Sequence, residues 1–151
     1  MSGNSITASK FAGCAGIDGC AGGWIAIACI NGEFKADLFS NFQDVVKCHV
    51  GSLLLVDMPM GLTEGTRTLE RAARSMLTGR SSSIFPVPCR AAVYADSYEQ
   101  ASLINAHNTG TRISKQSWNI CKKIREVDGC LKETPAISAR VYESHPELAF
   151  H

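Results

Sequence analysis

The chain has 151 residues, 45% of them apolar, which suits one domain with a sizeable core. Its 15 lysines and arginines balance 14 aspartates and glutamates, so it lacks the overall basicity of a general nucleic-acid binder, and any attraction to phosphate must be local. No apolar stretch approaches the roughly 20 residues that span a bilayer. Met1 to Lys10 lacks the apolar core of a secretion signal, so the sequence reads as a cytoplasmic chain with no membrane partner.

Phe11 to Asp18 reads as a first strand that breaks into a glycine-rich turn. Trp24 to Ile30 is a second apolar strand, and Asn31-Gly32 after it is a strong hairpin signal, because both residues tolerate the positive φ of a tight turn. Glu33 to Phe39 should therefore pair antiparallel with it. Ser40 or Asn41 can cap a short helix reaching His49, and Leu53 to Asp57 is apolar and short enough to be a buried strand. A meander of three strands and a helix lets the fourth strand return beside the first, parallel to it, by a right-handed crossover.

Leu69, Ala72, Ala73 and Met76 then recur at the spacing of one buried helix face, with Arg67, Arg71 and Arg74 on a solvated face and Gly79 as the stop. Prolines punctuate Ser81 to Pro88, which reads as a loop leading to Arg90. A helix follows from Ser97 to His107, broken at Asn108-Thr109-Gly110. Ser114 caps a long helix with the stripe Ile120, Ile124, Val127 and Leu131. Arg140 to His145 reads as a fifth strand with Val141, Glu143 and His145 on one side, and Pro146 suits the first turn of another helix. Seven scattered cysteines, none in closely spaced ligand pairs, read as reduced, buried thiols that bind no zinc. Trp24 and Trp118 fit apolar patterns and read as core.

Asp18 and Asp57 carry the chemistry. Each ends a predicted strand, and if those strands are parallel neighbours the two carboxylates meet at one sheet edge, where α/β sheets bind ligands. Such a pair suits Mg2+ or Mn2+, which take one or two carboxylates plus water and substrate phosphate. Asp at a strand end is also ordinary turn chemistry. Glu147 after Pro146 is favoured by a helix dipole without any catalytic duty, while Glu143 and His145 share a strand face from which His145 could transfer protons. Glu143, His145 and Glu147 are thus further candidate catalytic groups. Five arginines and one acid between Arg67 and Arg90 make this the most basic region. Arg90 and Arg125 are candidate phosphate clamps, with Lys123 and the donors of Ser82 and Ser83 beside them.

Five segments together resemble the family known as domain of unknown function 429, over about Gly13 to Phe150. They are Gly16-Ile17-Asp18-Gly19-Cys20-Ala21-Gly22-Gly23-Trp24, Val56-Asp57-Met58-Pro59-Met60-Gly61-Leu62, Arg80-Ser81-Ser82-Ser83-Ile84-Phe85-Pro86, Lys123-Ile124-Arg125-Glu126-Val127-Asp128 and Glu143-Ser144-His145-Pro146-Glu147. The resemblance implies a ribonuclease H-like α/β domain with a mixed five-stranded sheet flanked by helices, and a predicted nuclease. It also implies that this chain is short at its C-terminus. Members look longer, and ribonuclease H-like nucleases commonly take a further acid from a helix after the fifth strand.

The expectation is a divalent-metal-dependent nuclease or phosphodiesterase, with Asp18 and Asp57 on the cation and a nucleic acid or nucleotide as partner. The alternative is a protein that binds a nucleotide or small phosphorylated ligand on the glycine-rich loop after Asp18, or an inactive scaffold whose acids stabilise turns. Nothing in the sequence sets an oligomeric state.

Overall fold

The computed structural model describes residues 11–76 and 86–146. Strands β1 (Gly13–Cys20), β2 (Gly23–Ile30) and β3 (Glu33–Phe39) form an antiparallel meander, turned by Ala21-Gly22 and Asn31-Gly32. Asn31 has φ 52° and Gly32 φ 84°, the left-handed pair that a tight hairpin turn requires. Helix α1 (Phe42–Cys48) starts at Asn41, whose side-chain oxygen accepts from the Asp44 N–H at 2.9 Å. It leads into β4 (Ser52–Val56), which pairs parallel with β1, and β5 (Val141–Glu143) pairs parallel with β4.

The five strands lie in the order β3-β2-β1-β4-β5 with β1 central, as the hairpin and crossover signals predict. The order is consistent with the ribonuclease H-like architecture that the resemblance implies.

Between β4 and β5 the chain forms α2 (Leu69–Met76), the short α3 (Arg90–Val93), α4 (Tyr98–Thr109), α5 (Lys115–Glu133) and a 3-10 turn, Pro135–Ala139. Ser97 and Ser114 cap α4 and α5, and Gly110, in the left-handed region, ends α4. Alternation along the strands puts Ala15, Ile17, Trp24, Ala26, Leu54 and Val56 on one face, where they pack against Phe42 and Val45 of α1 and Cys121, Ile124 and Val127 of α5. Trp24 is fully buried against Phe42, ring centroids 5.0 Å apart, and donates its indole N–H to Glu126 at 2.7 Å. Burial of each such side chain contributes about 1.5–3 kcal/mol. A smaller cluster of Cys89, Ala92, Ala101 and Ile113 holds α3 to α4.

Several expectations need correction. β1 does not break at Asp18 but continues to Cys20, because its antiparallel bonds to β2 extend to the turn. β5 is only three residues long. Leu69 and Met76 of α2 are exposed rather than core, since no element covers that face among the described residues. Arg67 lies before α2 and is buried, not solvated. Trp118 is half-buried. All seven cysteines are free thiols, but only Cys89, Cys121 and Cys130 are buried. No helix among the described residues is long and apolar enough to cross a membrane.

Gly23 combines φ 138° with a tight approach: a Cβ there would stand 2.0 Å from the Phe39 carbonyl oxygen. Gly23→Ala should therefore lower the unfolding free energy by about 3 kcal/mol. Gly22→Ala, where an added Cβ meets nothing within 4 Å, should be nearly neutral. Urea titration of the two variants checks this contrast.

Candidate functional site

The parallel register of β1 and β4 runs to Ile17 opposite Val56, and the Asp57 N–H continues it by donating to the Ile17 carbonyl at 2.9 Å. Asp18 and Asp57 are therefore successive neighbours on strands that lie about 4.8 Å apart. Gly16 and Leu55, two residues earlier, are opposite one another on the outer face, so period-two alternation directs both aspartates to that side. Asp18 is exposed and Asp57 half-buried. Both line a cleft of about 510 Å³ at the carboxyl ends of the strands, together with Met58, Asn119, Lys123, Glu143 and His145.

Glu143 reaches this cleft from β5, but its carboxylate is already engaged. Arg67 donates to it at 2.8 and 3.1 Å, and the Met60 N–H donates to its Oε2 at 2.9 Å. Arg67 also bonds the Met60 carbonyl and pairs with Glu70 at 2.6 Å. One guanidinium, its side chain 3% exposed, thus ties β5, the start of α2 and the loop that carries Asp57 onto a single point. The carboxylates compensate a charge that burial alone would make costly. Sequence reading missed Arg67 because its main partner is 76 residues away. Glu70, three residues on, was the available local signal.

The remaining candidates divide. Lys123 enters the cleft, its ammonium donating to the Gly23 carbonyl at 2.6 Å and lying 4.6 Å from the centre of the Trp24 ring. The Lys123 stem packs on Gly19, where an added Cβ would touch its carbons at 3.4 Å, a van der Waals contact. Arg90 is not among the residues lining the cleft. It is committed to Asp128 at 2.8 Å and to the Leu62 carbonyl at 3.1 Å. Arg125, half-buried on α5, is also absent from the lining. Ser82, Ser83 and Glu147 lie outside the described residues.

Asp128 is the best-satisfied acid here. Burial pushes its carboxyl upward, but hydrogen bonds from Lys132, Tyr94 and Arg90 outweigh that and hold it below the usual carboxylate value. Tyr94 donates to it at 2.6 Å, and burial together with this bond pushes the phenol up to about 12.

Among the described residues, no group of three or more histidines, cysteines or acids is arranged to hold a metal ion. Asp18 and Asp57 are hard oxygen donors of the kind that would supply part of a divalent cation's shell, with water and phosphate oxygens completing it. The pair does not fit a closed, protein-only cage of the structural zinc type.

The profile of the family described as "Protein of unknown function (DUF429)" matches residues 16–151. The chain belongs to this family. No curated protein and no solved structure matches it. In this DUF429 chain four of the five segments named above meet in one cleft: the first two carry Asp18 and Asp57, the helical one carries Lys123, and the last carries Glu143 and His145, while residues 80–85 of the remaining segment lie outside the described residues.

Two outcomes follow from these geometries. Arg67→Ala leaves two carboxylates and a carbonyl without their shared donor and should destabilise the fold by about 3 kcal/mol, read by chemical denaturation. The Asp128 contribution is complete above the unfolded carboxylate pKa of about 3.9 and is lost as pH falls through the depressed folded value. The Tyr94 contribution is complete below about pH 10 and is lost as pH rises towards 12. Ultraviolet titration should show one of the three tyrosines ionising last, and Asp128→Asn should move that transition to lower pH.

Proposed function

We propose that this protein is a divalent-cation-dependent phosphodiesterase of the nuclease class, with Asp18 and Asp57 as the carboxylates that hold Mg2+ or Mn2+. The observation that carries the reading is their placement at successive positions of two parallel strands, inside one cleft at the carboxyl edge of the sheet. Neighbouring carboxylates at one sheet edge favour a counter-charge, and a divalent cation supplies it directly. When bound, the cation would activate water and stabilise charge on a phosphodiester.

The chain's own groups supply the rest. Lys123 brings positive charge to the cleft wall for a phosphate oxygen, and Asn119 adds an amide donor. His145, in the same cleft, is the residue type suited to moving a proton near neutral pH. Glu143, bonded by Arg67 and the Met60 N–H, serves as an anchor that fixes the Asp57 loop. The ribonuclease H-like strand order supports the same reading by analogy of fold.

Isothermal calorimetry with Mn2+ tests the proposal. The Asp18→Asn, Asp57→Asn double variant should bind Mn2+ at least about tenfold more weakly than wild type, a loss of about 1.4 kcal/mol, with an unchanged circular dichroism spectrum. Equal uptake by the two proteins would remove the cleft as a metal site.

A further inference from the structure

Cys14 of β1 and Cys29 of β2 stand directly opposite one another in the antiparallel register. Among the described residues they are the only two cysteines that any strand pairing sets face to face. Alternation gives them a common side. Ala15 and Ala28, the next pair along, are buried in the core, so Cys14 and Cys29 both project from the outer face, which is open among the described residues and largely apolar. Leu53 of β4 and Phe34 of β3 flank them in the same row. Cys14 is exposed, Cys29 is half-buried, and both are free thiols.

Backbone bonding sets how far apart they are. The Ile17 carbonyl accepts from the Asp57 N–H, so the odd-numbered residues of β1 turn their backbone groups to β4 and the even-numbered ones to β2. Cys14 and Cys29 are therefore a hydrogen-bonded pair, with Cα atoms about 5.5 Å apart and Cβ atoms about 4.5–5.5 Å apart. The first separation is central to the range of about 4.4–6.8 Å that disulfides span, while the second exceeds their usual Cβ spacing of about 3.8 Å by roughly 1 Å. Gly13 brings the strands together here. A Cβ added to it would stand 2.6 Å from the Cys29 carbonyl oxygen and 3.4 Å from the Ile30 Cα, so beside the cysteines the two strands run too close to admit a side chain.

We infer that Cys14 and Cys29 form a reversible redox pair, a dithiol that a low-molecular-weight disulfide such as oxidised glutathione converts into a cross-strand disulfide. Exposure sets the order of events. The Cys14 thiolate attacks one sulfur of oxidised glutathione, forming a mixed disulfide and releasing one glutathione thiolate; the Cys29 thiolate then attacks the Cys14 sulfur and releases the second. Two electrons pass from the cysteines to the glutathione disulfide, and the two thiol protons end on the two glutathione molecules. The residual mismatch in Cβ spacing strains the link, and strained disulfides are the readily reduced ones, so excess reduced glutathione reopens it. The link closes the hairpin whose first strand carries Asp18, and it depends on strand register, not on the chemistry of the cleft.

Equilibration of the whole chain in glutathione buffers of graded redox ratio, followed by acid quench, alkylation and peptide mass mapping, tests the pair. In wild type, oxidising buffer should give two peptides joined through Cys14 and Cys29 with the loss of two hydrogens, and reducing buffer should return both as alkylated thiols. Cys29→Ser should instead accumulate glutathione on Cys14, whereas Cys14→Ser should leave Cys29 largely unmodified, each with an unchanged circular dichroism spectrum. The wild-type map decides even if a variant fails to fold. Should Cys14 in folded wild type remain a thiol in the most oxidising buffer, stop at the glutathione adduct, or pair with a cysteine other than Cys29, the proposal is overturned, and the two residues are then no more than small apolar side chains in a strand.

Discussion

The Asp57 N–H reaches the Ile17 carbonyl at 2.9 Å one residue past the end of β4, and the whole site depends on that parallel register. A slip of one residue would turn Asp57 towards the core side and separate it from Asp18. Hydrophobic alternation does not by itself prevent such a slip, because Leu53 and Leu55 are as apolar as Leu54 and Val56. Backbone and arginine bonds specify it instead. Leu54 donates to the Arg140 carbonyl at 2.7 Å, while the Arg140 guanidinium bonds the His49 carbonyl at 2.9 Å and the Ser52 carbonyl at 3.3 Å. The same guanidinium bonds the Val46 carbonyl at 3.0 Å, so it fixes the C-terminal end of α1 and the start of β4 together.

Helix α5 is held to this frame by polar groups as well as by its apolar stripe. Glu126 accepts from the Trp24 indole at 2.7 Å and from the Phe42 N–H at 3.3 Å, which joins the second strand, the first helix and the fifth helix. Asp128, two residues on, gathers Arg90, Tyr94 and Lys132. Residues of the segment Lys123-Ile124-Arg125-Glu126-Val127-Asp128 thus serve mainly as latches, and only Lys123 among them lines the cleft. Buried ion pairs gain little net stability over apolar packing, but losing one partner is costly, so such latches specify geometry more than they add stability.

The sheet was legible in the sequence because its signals are local. Asn31-Gly32 marks one hairpin, strand length marks β4, and the meander leaves few places for the fourth strand to return. The acid pair was legible for the same reason, since topology alone makes Asp18 and Asp57 neighbours. The arginines were not. Nothing near Arg67 in sequence shows that Glu143 will neutralise it, and nothing near Arg90 shows that Asp128, 38 residues away, will draw it out of the cleft. Helical periodicity in α2 signalled an apolar face correctly but could not say whether any element would cover it.

Register also links the open face to the chemistry. Because Asp18 and Asp57 share the side of Gly16 and Leu55, the acid pair sits at the rim of the apolar surface and not behind the core. Lys123 reaches the cleft wall while its ammonium bonds the Gly23 carbonyl and lies over the Trp24 ring, and Arg67 bonds Glu143 and Glu70. Lys123 and Arg67 thus brace the walls of the cleft that Asp18 and Asp57 line.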